Sequence, residues 1–136
     1  MDNAGDVLIV DDEKKISKLV QEVLVGTGLF RNVMIASDGI EATQKLMNQT
    51  FAVVVLDIKM PKKSGIDVLK EFKDEVGFNS PSSVIIVSGF LDQSVMNHAI
   101  KAGVKNFLIK PFDQAALVTK VAEVLKNRGI LQKIKK

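Results

Sequence analysis

Asp11, Asp12, Asp57, Ser88 and Lys110 could together handle phosphate and a metal ion, and each stands at the end of an apolar run. Val7–Val10 runs into Asp11 and Asp12, Ala52–Leu56 into Asp57, Val84–Val87 into Ser88, and Phe107–Ile109 into Lys110-Pro111. If each run is a parallel strand, these groups share one edge of one sheet. That edge, outside the carboxyl ends of the strands, is where open α/β sheets bind ligands. Carboxylates that close repel one another and destabilise the fold unless positive charge lies between them. Lys110 supplies one such charge, which cannot balance three carboxylates. A hard divalent cation can, and all-oxygen ligation suits Mg²⁺, with Mn²⁺ as the alternative, over zinc. Mg²⁺ keeps waters and phosphate oxygens among its ligands, so the site has room for a phosphorylated partner. A carboxylate can itself attack phosphorus to form an aspartyl phosphate. The cation and Lys110 would then neutralise the transferring group while the Ser88 hydroxyl holds another of its oxygens. None of this needs a histidine, and the single His98 reads as an exposed polar residue.

The elements that must position these groups alternate strand and helix five times, a pattern that predicts a parallel sheet with crossover helices, an α/β fold. Val7–Val10, Ala52–Leu56 and Val84–Val87 are continuous and β-branched, as strands covered on both faces should be. Val33–Ala36 and Phe107–Ile109 are shorter and belong nearer the sheet's edges. Ile16, Leu19, Val20, Val23 and Leu24 form a helical stripe stopped by Gly26 and Gly28. Asp38 caps a second helix carrying Ile40, Leu46 and Met47; Ile66, Leu69 and Phe72 mark a third that ends near Gly77. Asp92 caps a fourth, with Val95, Met96, Ala99 and Ile100, closed by Gly103. Asp113 caps the last, with Leu117, Val118, Val121, Val124 and Leu125. The long Asp57–Gly65 connection falls at the same sheet edge as the acids.

The bulk properties fit this reading. A chain of 136 residues has the size of one domain, and 46% hydrophobic with 26% charged residues is ordinary for a globular protein. No apolar run approaches the ~18 residues of a membrane span, and Met1–Asp6 is too short and acidic for a secretory signal. No membrane partner is expected. The absence of cysteine excludes disulfides and thiolate metal sites and is compatible with a cytoplasmic location. Lys126, Arg128, Lys133, Lys135 and Lys136 crowd the C-terminal end. They read as a solvated tail or the start of a linker, since no aromatic residue interleaves for base stacking.

Taken together and in order, these residues resemble the receiver domain of bacterial two-component response regulators, chemotaxis regulators among them, over roughly residues 5 to 127. The matching positions are Asp11-Asp12, Asp57, Met60-Pro61, Gly65, Ser88, Phe107 and Lys110-Pro111. The resemblance implies a doubly wound five-stranded parallel sheet of flavodoxin-like order 2-1-3-4-5 with five helices, a receiver over 1–128, and a tail or linker over 129–136. It implies that Asp57 accepts a phosphoryl group from a sensor histidine kinase, a phosphotransfer protein or a small phosphodonor. It further implies that Asp12 ligates Mg²⁺ directly, Asp11 mainly through water, and Asp57 and the Lys59 carbonyl complete the protein ligands. Lys110 would pair with the phosphoryl group, Ser88 would move to hydrogen-bond it, and Phe107 would turn inward, reshaping the face around the fourth helix and fifth strand. The Lys110-Pro111 bond is cis in this family. The partners implied are the kinase, a downstream protein or output domain, nucleic acid only through such a domain, and a second copy on phosphorylation.

Each residue also has a local alternative. Asp11 or Asp12 could cap the first helix, Asp57 could be a turn residue, Ser88 a cap, Phe107 plain core and Lys110 a surface lysine. Phe107 lacks the polar tip of the Tyr or His common at its position, and Ser88 replaces the equally common Thr. Lys59 and Phe90 flank the path of an attacking water, so apolar Phe90 is expected to slow loss of the phosphoryl group; an unchanged half-life in Phe90→Glu would sink that idea. Three other functions compete. An aspartyl phosphatase wants an Asp-x-Asp after the first strand and a cap domain, and Asp57 stands alone. A flavin carrier of the same topology wants a Ser/Thr/Gly-rich loop where this chain has Asp11-Asp12-Glu13. A constitutive pseudo-receiver lacks an acid or the lysine, and here none is missing.

Overall fold

β-Branched and leucine-rich runs that are buried on both faces have no polar face to turn to water, and here they form the inside of one sheet. The computed structural model describes residues 3–60, 62–73, 79–89 and 93–130. The strands are β1 (Asp6–Val10), β2 (Asn32–Ala36), β3 (Val53–Asp57), β4 (Val84–Ser88) and β5 (Asn106–Ile109). They pair in the order β2-β1-β3-β4-β5, every pair parallel. β1, β3 and β4 are buried at all their positions, while the edge strands β2 and β5 are partly exposed. The helices are α1 (Lys14–Gly26), α2 (Gly39–Asn48), α3 (Gly65–Lys73), α4 (Gln93–Lys101) and α5 (Gln114–Asn127). A short 3₁₀ turn, Pro81–Ser83, leads into β4 and was not anticipated from the sequence.

Strand residues alternate between two core layers. Leu8, Val10, Val54, Leu56, Val84 and Ile86 face α2, α3 and α4 through Ala42, Leu46, Val68, Leu69 and Ala99. Val7, Ile9, Val53, Val55, Ile85 and Val87 face α1 and α5 through Val20, Leu24, Leu117, Val121, Val124 and Leu125. Helices on both faces make the sheet doubly wound, with the flavodoxin-like order expected.

The predicted caps at Asp38 and Asp113 form: Asp38 accepts from the Glu41 N–H at 2.8 Å and Asp113 from the Ala116 N–H at 2.8 Å. Asp92 and Gly77, predicted to bound helices, lie outside the described residues, as does the Phe72 side chain. Several stripe residues need correction, because Leu19, Ile40, Met47 and Ile100 are exposed. In α2 and α4 small residues share the buried face, Gly39 and Ala42 with Leu46 in one and Ala99 in the other. Alanine and glycine bring the helix axis close to the sheet, so larger residues beside them are left at the margin. Arg128 is a second correction. It is not a solvated tail residue: its guanidinium is half-buried and donates to the carbonyls of Phe51 (3.1 Å) and Ala52 (2.7 Å), at the start of β3.

Two glycines set how closely the β3–α3 loop approaches its neighbours. A Cβ on Gly65 would lie 2.2 Å from the Asp57 carbonyl oxygen and 2.8 Å from Ile58 Cα. A Cβ on Gly39 would lie 2.2 Å from the Lys63 carbonyl oxygen. Only glycine permits such backbone approaches.

Candidate functional site

Strand register brings the predicted groups to one edge. Val10 pairs with Leu56, so Asp11 and Asp57 follow side by side on adjacent strands. Asp57 pairs with Val87 and Ser88 with Ile109, so Ser88 and Lys110 each stand one residue further along on the next strand. Asp11, Asp12 and Asp57 offer carboxylate oxygens all within 4.8 Å of one another. Asp11 and Asp57 are buried and Asp12 is exposed, so the cluster opens to solvent on one side. An all-oxygen donor set with one open side fits Mg²⁺, which retains waters. Asp11, Asp12 and Asp57 are the side chains that could hold it.

Lys110 closes the other side. Its Nζ lies 3.1 Å from Asp11 Oδ2, 3.6 Å from Asp57 Oδ2 and 2.9 Å from Glu13 Oε1. Its backbone N–H donates to the Ser88 carbonyl at 2.9 Å, and the Lys110-Pro111 bond that follows is cis. Burial works against its charge, but the hydrogen bonds to Glu13 and Asp11 and the fields of Asp11 and Asp57 outweigh this and raise its pKa. Asp57 is the other perturbed group. Burial foremost, with the negative charge of Asp11, pushes its carboxyl up to about 6, against the opposing pull of Lys110. A carboxyl in this state is mostly ionised near neutral pH and remains a usable nucleophile. Neither Asp11 nor Asp12 caps α1 by side chain; Asp11 Oδ1 instead accepts from the Glu13 N–H at 2.9 Å, which fixes the β1–α1 turn.

Ser88 is buried at the end of β4, and Phe107 is half-buried in β5 against the α2–α4 core layer. Lys59 is exposed two residues beyond Asp57. The loop that carries it is tied back at Lys63, whose ammonium donates to Thr43 Oγ1 (2.9 Å) and pairs with Glu71, while Thr43 also donates to Glu71 (2.8 Å). Pro61 and Phe90 lie outside the described residues. His98 is exposed on α4, as expected, with Nδ1 2.8 Å from the Ser94 carbonyl oxygen. The sequence reading missed Glu13 as a partner of Lys110. Its place directly after Asp11-Asp12 was the available signal.

A profile of the response regulator receiver domain matches residues 7–122. The chain belongs to that family. The receiver domain is 33% identical to the chemotaxis protein CheY of Bacillus subtilis over 122 residues, covering 90% of this chain and 98% of that protein. It is 33% identical over 120 residues to the transcriptional regulatory protein ZraR of Klebsiella oxytoca, covering 88% of this chain but 26% of that longer protein. Among solved structures it superposes with a TM-score of 0.75 on the complex of CheX with CheY, BeF₃ and Mg²⁺ from Borrelia burgdorferi, with 31% identity and 88% coverage of each chain. Receiver domains are signalling domains of two-component systems and not conventional enzymes. The acidic cluster fits the phospho-aspartate and Mg²⁺ site of such a domain. Among the described residues no helix is long and apolar enough to cross a membrane.

Proposed function

We propose that Asp57 accepts a phosphoryl group from a histidine kinase, a phosphotransfer protein or a small phosphodonor, and that the modified domain controls a partner or output domain. The observation that carries this reading is the buried Asp57 carboxylate lying within reach of both Asp11 and Asp12 and 3.6 Å from the Lys110 ammonium. An Asp57 oxygen forms the new P–O bond while the donor's bond to phosphorus breaks, and the electron pair leaves on imidazole or, with acetyl phosphate, on acetate. Asp11, Asp12, Asp57 and the Lys59 carbonyl would hold Mg²⁺, which when bound neutralises charge on the transferring group. Lys110 pairs with a phosphoryl oxygen, and Ser88 donates its hydroxyl to another.

The added charge of roughly −1 to −2 draws Ser88 toward the site, and Phe107 turns into the vacated space, which changes the face around α4 and β5. The domain spans 1–128 and works in the cytoplasm, alone, as the 98% coverage of CheY supports, or as part of a longer regulator, as the 26% coverage of ZraR supports, and it forms a dimer on phosphorylation. The BeF₃ and Mg²⁺ in the Borrelia CheY complex support the chemistry, because BeF₃ imitates a phosphoryl group. The test is mass spectrometry after treatment with acetyl phosphate and Mg²⁺. One phosphoryl group on the native chain and none on Asp57→Ala is the expected result; labelling that survives in Asp57→Ala would refute the assignment.

A further inference from the structure

α1 begins without a side-chain cap. Glu13 stands at its N-cap position in extended conformation (φ −85°, ψ 105°) and makes no capping hydrogen bond. At that position a short polar side chain normally satisfies one of the free helix N–H groups. The Glu13 carboxylate instead crosses the sheet edge to Lys110, with Oε1 2.9 Å from Nζ. Lys110 is therefore shared among three carboxylates, and Glu13 makes the shortest of the three contacts.

The three contacts are not equally hard to break. The Asp11 and Asp57 side chains are 5% and 6% exposed, whereas Glu13 is 59% exposed. Pulling Lys110 from either aspartate leaves a buried charge uncompensated, which is strongly unfavourable. Pulling it from Glu13 returns that carboxylate to water. A phosphoryl group on Asp57 enlarges the negative charge on the Asp57 side of the ammonium, so Glu13 is the partner that yields.

We propose that Glu13 competes with the phosphoryl group for Lys110. In the unmodified domain it holds the ammonium, and the phosphoryl group on Asp57 displaces it. Glu13 is thus a positioning residue acting through Lys110, and it biases the domain toward the unmodified state. This rests on Asp57 being the acceptor. In transfer from acetyl phosphate, the new P–O bond forms on Asp57 as the bond to acetate breaks, and no proton from Glu13 is involved.

The test uses the full chain with Mg²⁺, beryllofluoride and acetyl phosphate. In Glu13→Gln the beryllofluoride concentration for half-saturation should fall about two- to fivefold, the range an exposed ion pair contributes, and the phosphoryl lifetime should lengthen. Glu13→Asp keeps the charge but is one methylene short of Lys110, and it should behave like Glu13→Gln. In a Lys110→Met background the Glu13→Gln effect should vanish. Unchanged or weaker beryllofluoride binding in Glu13→Gln, a Glu13→Asp protein that matches the native one, or an effect that persists without Lys110 would each overturn the proposal. A native chain that labels at Asp57 while Glu13→Gln matches it defeats this inference alone. A native chain that does not label defeats the reading of Asp57 beneath it.

Discussion

At the scale of single residues, Asp57 links the site to stability. An acid whose folded pKa exceeds its unfolded value holds its proton more tightly in the folded chain, so it stabilises relatively at low pH and penalises the fold once ionised. With Asp57 moved from 3.8 to about 6, that penalty grows as pH rises between about pH 4 and pH 6 and is complete above that window. Its size is on the order of 2–3 kcal/mol. The metal-free protein should therefore melt lower at neutral pH than near pH 5 (about the middle of that window). Asp57→Asn should remove that part of the slope and raise the neutral-pH melting temperature of the metal-free chain. Calorimetry is the suitable measurement, because the chain has no Trp or Tyr to report by fluorescence. Identical pH slopes in the two proteins would mean that the Asp57 carboxyl is not perturbed as described.

At the scale of elements, the sequence revealed the strand ends better than the helix faces. A strand ends where its β-branched run meets a polar residue, and the functional groups occupy those positions, so Asp11, Asp57, Ser88 and Lys110 could be read directly. Helix contact faces were less legible because Ala42 and Ala99 carry little hydrophobic signal, yet they belong to the buried core while Ile40, Met47 and Ile100 are exposed. Glu13 was hidden for another reason: its place after Asp11-Asp12 puts it at the sheet edge, but its partner Lys110 comes from the far end of the chain. Asn79 was likewise illegible. It is buried, accepts from the Phe51 N–H at 2.8 Å and donates to the carbonyls of Leu46 (2.8 Å) and Gln49 (2.9 Å), tying the α2–β3 connection to the segment before β4. Asn79→Ala should cost about 1–3 kcal/mol by stranding those backbone groups, read as a shift in the denaturation midpoint. Gly65→Ala acts on the site through its loop. The added Cβ must push the loop off Asp57, so Mg²⁺ binding should weaken in calorimetric titration along with stability. A Gly65→Ala protein of native Mg²⁺ affinity would show that the loop backbone does not contribute to the cation site.

At the scale of the whole molecule, the site is assembled from the ends of four strands and is complete only when the sheet is. A cation that binds this assembly and not the unfolded chain stabilises the fold by mass action, about 2.7 kcal/mol at a hundredfold excess over its dissociation constant. Roughly millimolar Mg²⁺ should therefore raise the melting temperature reversibly, and chelation should reverse the rise. The gain should shrink in Asp12→Ala, whose exposed carboxylate contributes to the cluster without supporting the core. An unchanged melting curve with saturating Mg²⁺ would mean that the three carboxylates do not act as one site.

The Arg128 contact has a mechanical consequence. The guanidinium hooks the end of α5 onto the two carbonyls immediately before the strand whose opposite end bears Asp57. Tension on the chain beyond α5 is therefore delivered to the base of that central strand before it can peel the helix from the sheet. Arg128→Met should let the last turn of α5 detach at lower force in a single-molecule pulling experiment while the sheet beneath it stays folded.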